Sequence, residues 1–333
     1  MDTLVESEGE PDLLQLSGGE PTLHPDILEI LRMAKTRPIR HVMINTNGLR
    51  LAAEPEFAAA LAEFKPGIEI YLQFDSLRPE ALKALRGADL RRIRQQALEN
   101  LETHNISTTL VSVVKRGLNE DEAGDIIEHA LKWRCVRGVT FQPIQDAGRN
   151  DNFDPKKDRV LLSDIRRAII DAGGPFQASD IIPLPCNPES IAVGYALRNG
   201  SDIAPITSYI PKDVIVAEAP NAITFEKYPD LQERIFEFFS LSTTPATTPE
   251  RLEALLCCLP EVPALERLSY ENIFRVAIVE FLDAYNFCTA RVKRSCIHFV
   301  TPDGLIIPFD TYNLFYRNGR IHDIRKELDR AAS

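Results

Sequence analysis

Residues 13–26, Leu-Leu-Gln-Leu-Ser-Gly-Gly-Glu-Pro-Thr-Leu-His-Pro-Asp, run an apolar strand straight into a Gly-Gly turn and then toward a helix opening at Asp26. Adjacent glycines at 18 and 19 let a ligand approach the backbone closely. Such a turn exposes peptide groups at the strand's carboxyl end, where open α/β sheets and barrels place their sites. Glu20 follows at once and is suited to receive a cationic group. The same string also serves as a plain strand-to-helix connection, so its meaning depends on what other strands carry to that end.

Outward from this turn, short β-rich runs alternate with longer helical patterns from Pro11 to Ile144, which favours parallel strands joined by crossover helices. Strands are expected at Leu13–Leu16, His41–Thr46, Glu69–Phe74, Thr108–Val114 and Val139–Pro143, each nearly continuous in apolar residues. Helical spacing covers Asp26–Lys35, Pro55–Phe64, Pro79–His104 and Glu120–Trp133, with Asn119 and Glu122 reading as a capping pair for the last of these. After Gln145 the alternation stops. A polar, turn-rich stretch leads to a helix over Ser163–Ala172 ended by Gly173-Gly174. Then come the Pro-punctuated IIPLPCNPES, a Ser/Thr/Pro linker at LSTTPATTPE, a helical stretch from Tyr270 to Asn286 and a turn-rich end at FVTPDGLIIPFDTYN.

Composition narrows the function classes. Of 333 residues, 44% are hydrophobic and 26% charged, as in ordinary globular chains. The 38 Lys and Arg against 49 Asp and Glu leave a net charge of −11, without the basic field that a phosphate backbone rewards, so a nucleic-acid partner is not expected. No apolar run approaches the roughly 18 residues of a membrane span, and MDTLVESEGE is acidic where a signal peptide is basic. A cytoplasmic location is therefore expected. Six scattered Cys make no disulfide framework.

Polar groups recur at successive strand ends: Asn45 and Asn47 after the second, Asp75 after the third, Ser112 near the end of the fourth and Gln142 on the fifth. With LSGGEPTLHPD, INTNG and YLQFDS in that order, the chain resembles the radical S-adenosylmethionine superfamily. QFDSL, FQPIQDAGR, DIIPLPCNP and the distal SCIHFVTPDG resemble its subgroup of archaeal tetraether-lipid synthases and pterin methylases. The resemblance implies an α/β fold, an incomplete partial (β/α)6 TIM-like barrel over residues 1–150, with an α+β C-terminal extension over 151–333. It implies an enzyme that uses S-adenosylmethionine and a [4Fe–4S] cluster, fed by a reductant such as ferredoxin or flavodoxin. Its reaction would methylate, or form a carbon–carbon bond at, an unactivated C–H carbon of a lipid or pterin-like small molecule. Gly18, Gly19 and Glu20 would contact the cofactor's methionine amino group, and Asn45, Asn47, Asp75, Ser112 and Gln142 its ribose, carboxylate or adenine.

The family's CxxxCxxC loop, which precedes the Gly-Gly-Glu strand, is not in this sequence, whose first cysteine is Cys135. An amino-terminally truncated reading frame is therefore expected, with an apolar edge left at Leu13–Leu16. Cys186, on a proline-stiffened segment, suits a metal ligand, and Cys296 with Cys288 would join it in an auxiliary iron–sulfur site like those of relatives. Cys135 and the Cys257-Cys258 pair read as core thiols. His24 reads as a support of the turn into the first helix, while Arg86 and Arg149 suit either a substrate anion or a structural carboxylate. Aromatic residues from Tyr285 to Tyr316 read first as core. Two further readings stand beside the enzyme: a degenerate, non-catalytic fragment, and a cluster-free α/β protein that uses the glycine turn for a nucleotide or amino acid.

Overall fold

The computed structural model describes residues 1–147, 150, 153–184, 187–199, 202–208, 272–317 and 319–332. After a short helix α1 (Asp2–Glu8) come β1 (Leu13–Leu16), α2 (Ile27–Lys35), β2 (His41–Thr46), α3 (Leu49–Ala53), α4 (Pro55–Ala62) and β3 (Ile68–Gln73). Then follow α5 (Pro79–Arg86), α6 (Arg91–Thr103), β4 (Thr108–Val114), α7 (Ala123–Leu131) and β5 (Val136–Pro143). The five strands pair in chain order and all in parallel. The expected helix over Pro79–His104 is two, because Gly87 takes a left-handed φ of 81° that ends α5. Asn119 and Glu122 do not cap α7. Asn119 donates to the carbonyls of Asp75 and Val113, and Glu122 accepts from the Ser76 hydroxyl and Leu77 N–H, so both tie down the loop after β3.

Beyond residue 150 the same sheet continues. Helix α8 (Leu162–Asp171) precedes β6 (Ile182–Pro183), β7 (Ile191–Asn199), β8 (Asp202–Pro205) and β9 (Ile273–Val279). The stretch expected to be helical from Tyr270 to Asn286 is thus a strand where it is described at 273–279. It is the sixth parallel strand, paired with β5 on one side and antiparallel to β7 on the other. Ile-Phe-Arg-Val-Ala-Ile-Val is apolar enough to satisfy helical and extended spacing alike, and its β-branched content suits a strand covered on both faces. The sheet order is β1-β2-β3-β4-β5-β9-β7-β6, with β8 beside β7. A separate hairpin, β10 (His298–Val300) with β11 (Ile306–Pro308), and a last helix at Arg320–Ala332 complete the described chain. The linker LSTTPATTPE lies outside the described residues.

Alternation along the strands separates two faces. Val42, Ile44, Ile70, Leu72, Leu110, Val139, Phe141, Val276 and Ile278 pack with the helices in one core. Met43, Tyr71 and Val111 gather on the other face with Leu13. That second face is concave. Glu69 on β3 and Arg275 on β9 come within 3.8 Å although β4 and β5 lie between them, a span of about 14 Å along a flat sheet. The result is the expected α/β partial barrel, whose β1 edge is only four residues long and, among the described residues, pairs with β2 alone.

Candidate functional site

At the carboxyl end of β1, Ser17, Gly18 and Gly19 are exposed, and a Cβ added at either glycine would meet nothing within 4 Å. Glu20 is otherwise engaged. Its Oε1 accepts from Thr22 N (3.2 Å), Thr22 Oγ1 (2.7 Å) and Thr46 Oγ1 (2.6 Å), and its Oε2 from Asn47 N (2.7 Å). The carboxylate therefore locks the turn after β1 to the turn after β2. His24 supports the same loop, its Nδ1 accepting from Asp26 N at 3.1 Å.

Asn47 is held on three sides: N–H by Glu20, Oδ1 by Leu49 N (2.9 Å), and carbonyl by the guanidinium of Arg94. Arg94 is only 2% exposed, and burial lowers its pKa to about 10. Asp75, at φ 67°, is fully buried and takes a two-pronged bond from Arg86, Nε at 2.7 Å and Nη2 at 2.8 Å. Its carbonyl accepts from Ser112 Oγ at 2.7 Å. Asp75 and Ser112 thus spend their polar atoms joining the ends of β3 and β4, and Ser112 sits at a helix-facing position of β4.

Asn45 and Gln142 lie on the concave face, half-buried, and the structure adds Gln73 and Tyr71 to them. Gln73 Nε2 donates to Asn45 Oδ1 at 3.3 Å, and Gln142 Nε2 reaches Tyr71 Oη at 3.4 Å. Below this rim Glu69 is fully buried, accepting from Thr109 and from His41 Nε2 at 3.1 Å, with Arg275 beside it. Burial opposes ionisation of Glu69, but His41, Arg275 and the Thr109 hydroxyl together outweigh it and hold the carboxyl below its ordinary pKa. Burial pushes Tyr71 up, so its phenol stays protonated. The inward parity of Gln73, one pleat above Tyr71, was the available sequence signal for it. Arg94, one of several arginines in an amphipathic helix, carried none.

Cys288 is half-buried at the start of a short helix, Thr289–Val292, and Cys296 is exposed with its Sγ 3.5 Å from the carbonyl of Arg294. Cys186, Cys257, Cys258 and Arg149 lie outside the described residues. Cys135 is buried, and burial pushes its thiol pKa strongly upward, the behaviour of a core thiol. Among the described residues no three His, Cys, Asp or Glu side chains converge as a metal site. These residues therefore do not fit a [4Fe–4S] cluster, which takes cysteine thiolates. They do fit S-adenosylmethionine, for which the open backbone at Gly18 and Gly19 leaves room. Among the described residues no helix is long and apolar enough to cross a membrane.

Residues 1–130 match the family model of the radical SAM superfamily. The 7,8-dihydro-6-hydroxymethylpterin dimethyltransferase of Methanocaldococcus jannaschii is 30% identical over 91% of this chain, which spans 67% of that protein. A GTP 3',8-cyclase of Syntrophomonas wolfei is 31% identical over 47% of each chain. A solved domain of a pyruvate-formate lyase-activating enzyme from Bacteroides vulgatus covers 48% of the chain at 16% identity, with 94% of its own length covered and a TM-score of 0.38. The family generally uses S-adenosylmethionine and a [4Fe–4S] cluster. With the glycine turn at the end of β1, the concave parallel sheet, the family model matched over residues 1–130 and a relative 30% identical over 91% of this chain, the chain belongs to the radical SAM superfamily of enzymes.

Proposed function

We propose that this chain is the cofactor- and substrate-binding part of a radical S-adenosylmethionine enzyme that methylates an unactivated C–H carbon of a pterin-like ring. The observation that carries the reading is the turn at Ser17–Gly19, exposed, open at both glycines and locked by the Glu20 carboxylate. Methylation and the ring substrate, rather than carbon–carbon coupling or a lipid, follow the relative named as a pterin dimethyltransferase. S-adenosylmethionine, when bound, supplies a sulfonium with a transferable methyl group and an ammonium that suits backbone carbonyls. The chain's own part is to hold that ammonium at Ser17–Gly19, to fix the turn through Glu20, Thr46 and Asn47, and to keep the concave face dry below Asn45 and Gln142. No step is assigned to the cluster, because the described residues do not hold it. A reductant such as ferredoxin or flavodoxin, a cytoplasmic setting, and an auxiliary iron–sulfur site at Cys186, Cys288 and Cys296 belong to the same proposal. So does a division near residue 150, with substrate contacts contributed from 151–333.

Isothermal calorimetry of the full chain with S-adenosylmethionine tests the reading. Gly19→Val places a branched side chain in the open approach and is expected to weaken binding at least about tenfold while the circular dichroism spectrum is kept. Absence of binding to the unsubstituted chain, or unchanged affinity in Gly19→Val, rejects it. A second reading is a protein that keeps the strand-end site without cluster chemistry. It expects cofactor binding that is indifferent to reconstitution with iron and sulfide.

A further inference from the structure

A buried ion pair holds an exposed tyrosine in place just past the carboxyl end of β9. Asp283, 1% exposed and four residues beyond that strand, takes Arg159 Nη2 on both its oxygens, at 2.6 and 2.5 Å. Its Oδ1 also accepts from Tyr285 N at 2.9 Å, its Oδ2 from Asp146 N at 3.0 Å, and its own N–H donates to Asn286 Oδ1 at 2.7 Å. The turn at 283–286 is thereby fastened to the chain that follows β5, and Leu162 N, donating to Glu280 Oε2 at 3.0 Å, repeats the tie. On this anchored turn the Tyr285 side chain stands 59% exposed. Its ring centroid lies 6.1 Å from that of half-buried Phe153, which has the Arg159 guanidinium 5.6 Å from its centre. Tyr71 and Tyr195, which serve the core, are drawn inward. A tyrosine immobilised by its backbone and left in water is built to meet something.

We infer that Tyr285, paired with Phe153, is the stacking platform for the substrate, a small molecule with a flat, fused nitrogen ring. This deepens the proposed function and rests on it for the identity of the ring. The 51° tilt between the two side chains makes a corner in which one meets a flat ligand face to face and the other edge to face, the two favoured aromatic arrangements. An alkyl chain gains only contact area there, which any apolar side chain supplies as well. Two rings also cover far less than the roughly 1,000 Å² of a stable protein contact, so a small molecule fits the corner better than a protein partner. Because the Asp283 network already fixes the turn, little further ordering is lost when a ring settles on it. The glycine turn follows β1 and Tyr285 follows β9, the first and last of the six parallel strands, so cofactor and ring approach the mouth from opposite ends of the curled sheet.

Pterin and S-adenosylmethionine are titrated separately, by calorimetry, into the full chain and into Tyr285→Phe and Tyr285→Leu. The side chain is largely in solvent, so both variants are expected to keep the circular dichroism spectrum of the unsubstituted chain. Pterin is expected to bind the unsubstituted chain, to bind Tyr285→Phe within about twofold, and to weaken at least about fivefold in Tyr285→Leu, with S-adenosylmethionine unchanged in all three. Equal pterin affinity in Tyr285→Leu overturns the platform and leaves the proposed function standing. Pterin weakened alike in both variants assigns the contact to the hydroxyl and overturns stacking. S-adenosylmethionine weakened in Tyr285→Leu gives the platform to the cofactor's adenine and overturns its assignment to substrate. Cofactor bound without pterin in every protein overturns the platform and the ring substrate together, while the cofactor turn, read independently by Gly19→Val, still stands.

Discussion

Glu20, picked out in the sequence for a ligand, also fastens two strand-end turns of the protein to each other. Four hydrogen bonds converge on one half-buried carboxylate, and each donor loses its partner if the side chain is cut back. Glu20→Ala is expected to cost about 3 kcal/mol in urea unfolding and Glu20→Gln about 1 kcal/mol, because an amide oxygen still accepts while its NH2 repels the donors beside it. Equal stability of Glu20→Ala and the unsubstituted chain removes the locking role. Asp75 makes a sharper test of charge against backbone. Its φ of 67° is one that asparagine also tolerates, so Asp75→Asn leaves the turn unstrained and withdraws the charge that faces Arg86 together with one acceptor oxygen. About 2 kcal/mol is expected for Asp75→Asn, less than for a fully buried pair because the Arg86 side chain is 29% exposed. Asp75→Val, which adds backbone strain, is expected to cost more by the same measurement.

At the scale of elements, three expected strands were legible to the residue, Leu13–Leu16, His41–Thr46 and Thr108–Val114, because continuous apolar runs bounded by Gly, Pro or Asn leave little choice of register. Strand β9 was not, since seven residues of which six are buried carry no periodicity that separates strand from helix, and its partner β5 lies about 130 residues earlier in the chain. The site divided in the same way. The glycine turn and the inward amides announce themselves by composition and parity, whereas the internal use of Glu20, Asp75 and Ser112 depends on contacts between strands that a linear sequence does not display. Gly138 is where β9 tests the sheet most directly. It faces Arg275 in register, and a Cβ there would stand 2.4 Å from the Arg275 carbonyl oxygen. Gly138→Ala must therefore push β9 off β5, and a loss of about 2–3 kcal/mol is expected in denaturant unfolding. A cost under about 0.5 kcal/mol contradicts the close approach of these two strands.

For the whole molecule, the ion pair of Glu69 with Arg275 inside the curled sheet couples stability to acid. Burial alone raises a carboxyl's pKa, yet His41, Arg275 and Thr109 together bring that of Glu69 below its ordinary value of 4.5. A group whose pKa is lower in the folded chain than in the unfolded one contributes its full stabilisation above the unfolded value and loses it as pH falls through the folded one. Asp283 acts in the same sense. Burial raises its pKa, and Arg159 at 2.5 Å together with the backbone N–H groups of Asp146 and Tyr285 brings it down further than burial lifts it. Asp310, raised by burial, acts in the opposite sense. Unfolding free energy is thus expected to be nearly flat from pH 7 to about 5 as far as Glu69 and Asp283 are concerned, and to fall steadily below about 4.5. Glu69→Gln removes the carboxylate 3.8 Å from the largely buried Arg275, so it should start about 3 kcal/mol lower at pH 7 and show a shallower fall in acid. The double variant Glu69→Gln, Arg275→Met removes both charges and should recover part of that loss, since a buried pair replaced by neutral groups of similar size is often tolerated better than a broken one. If Glu69→Gln keeps the full acid slope, or if the double variant is no more stable than the single one, the pair across the concave face is not what closes this sheet on itself.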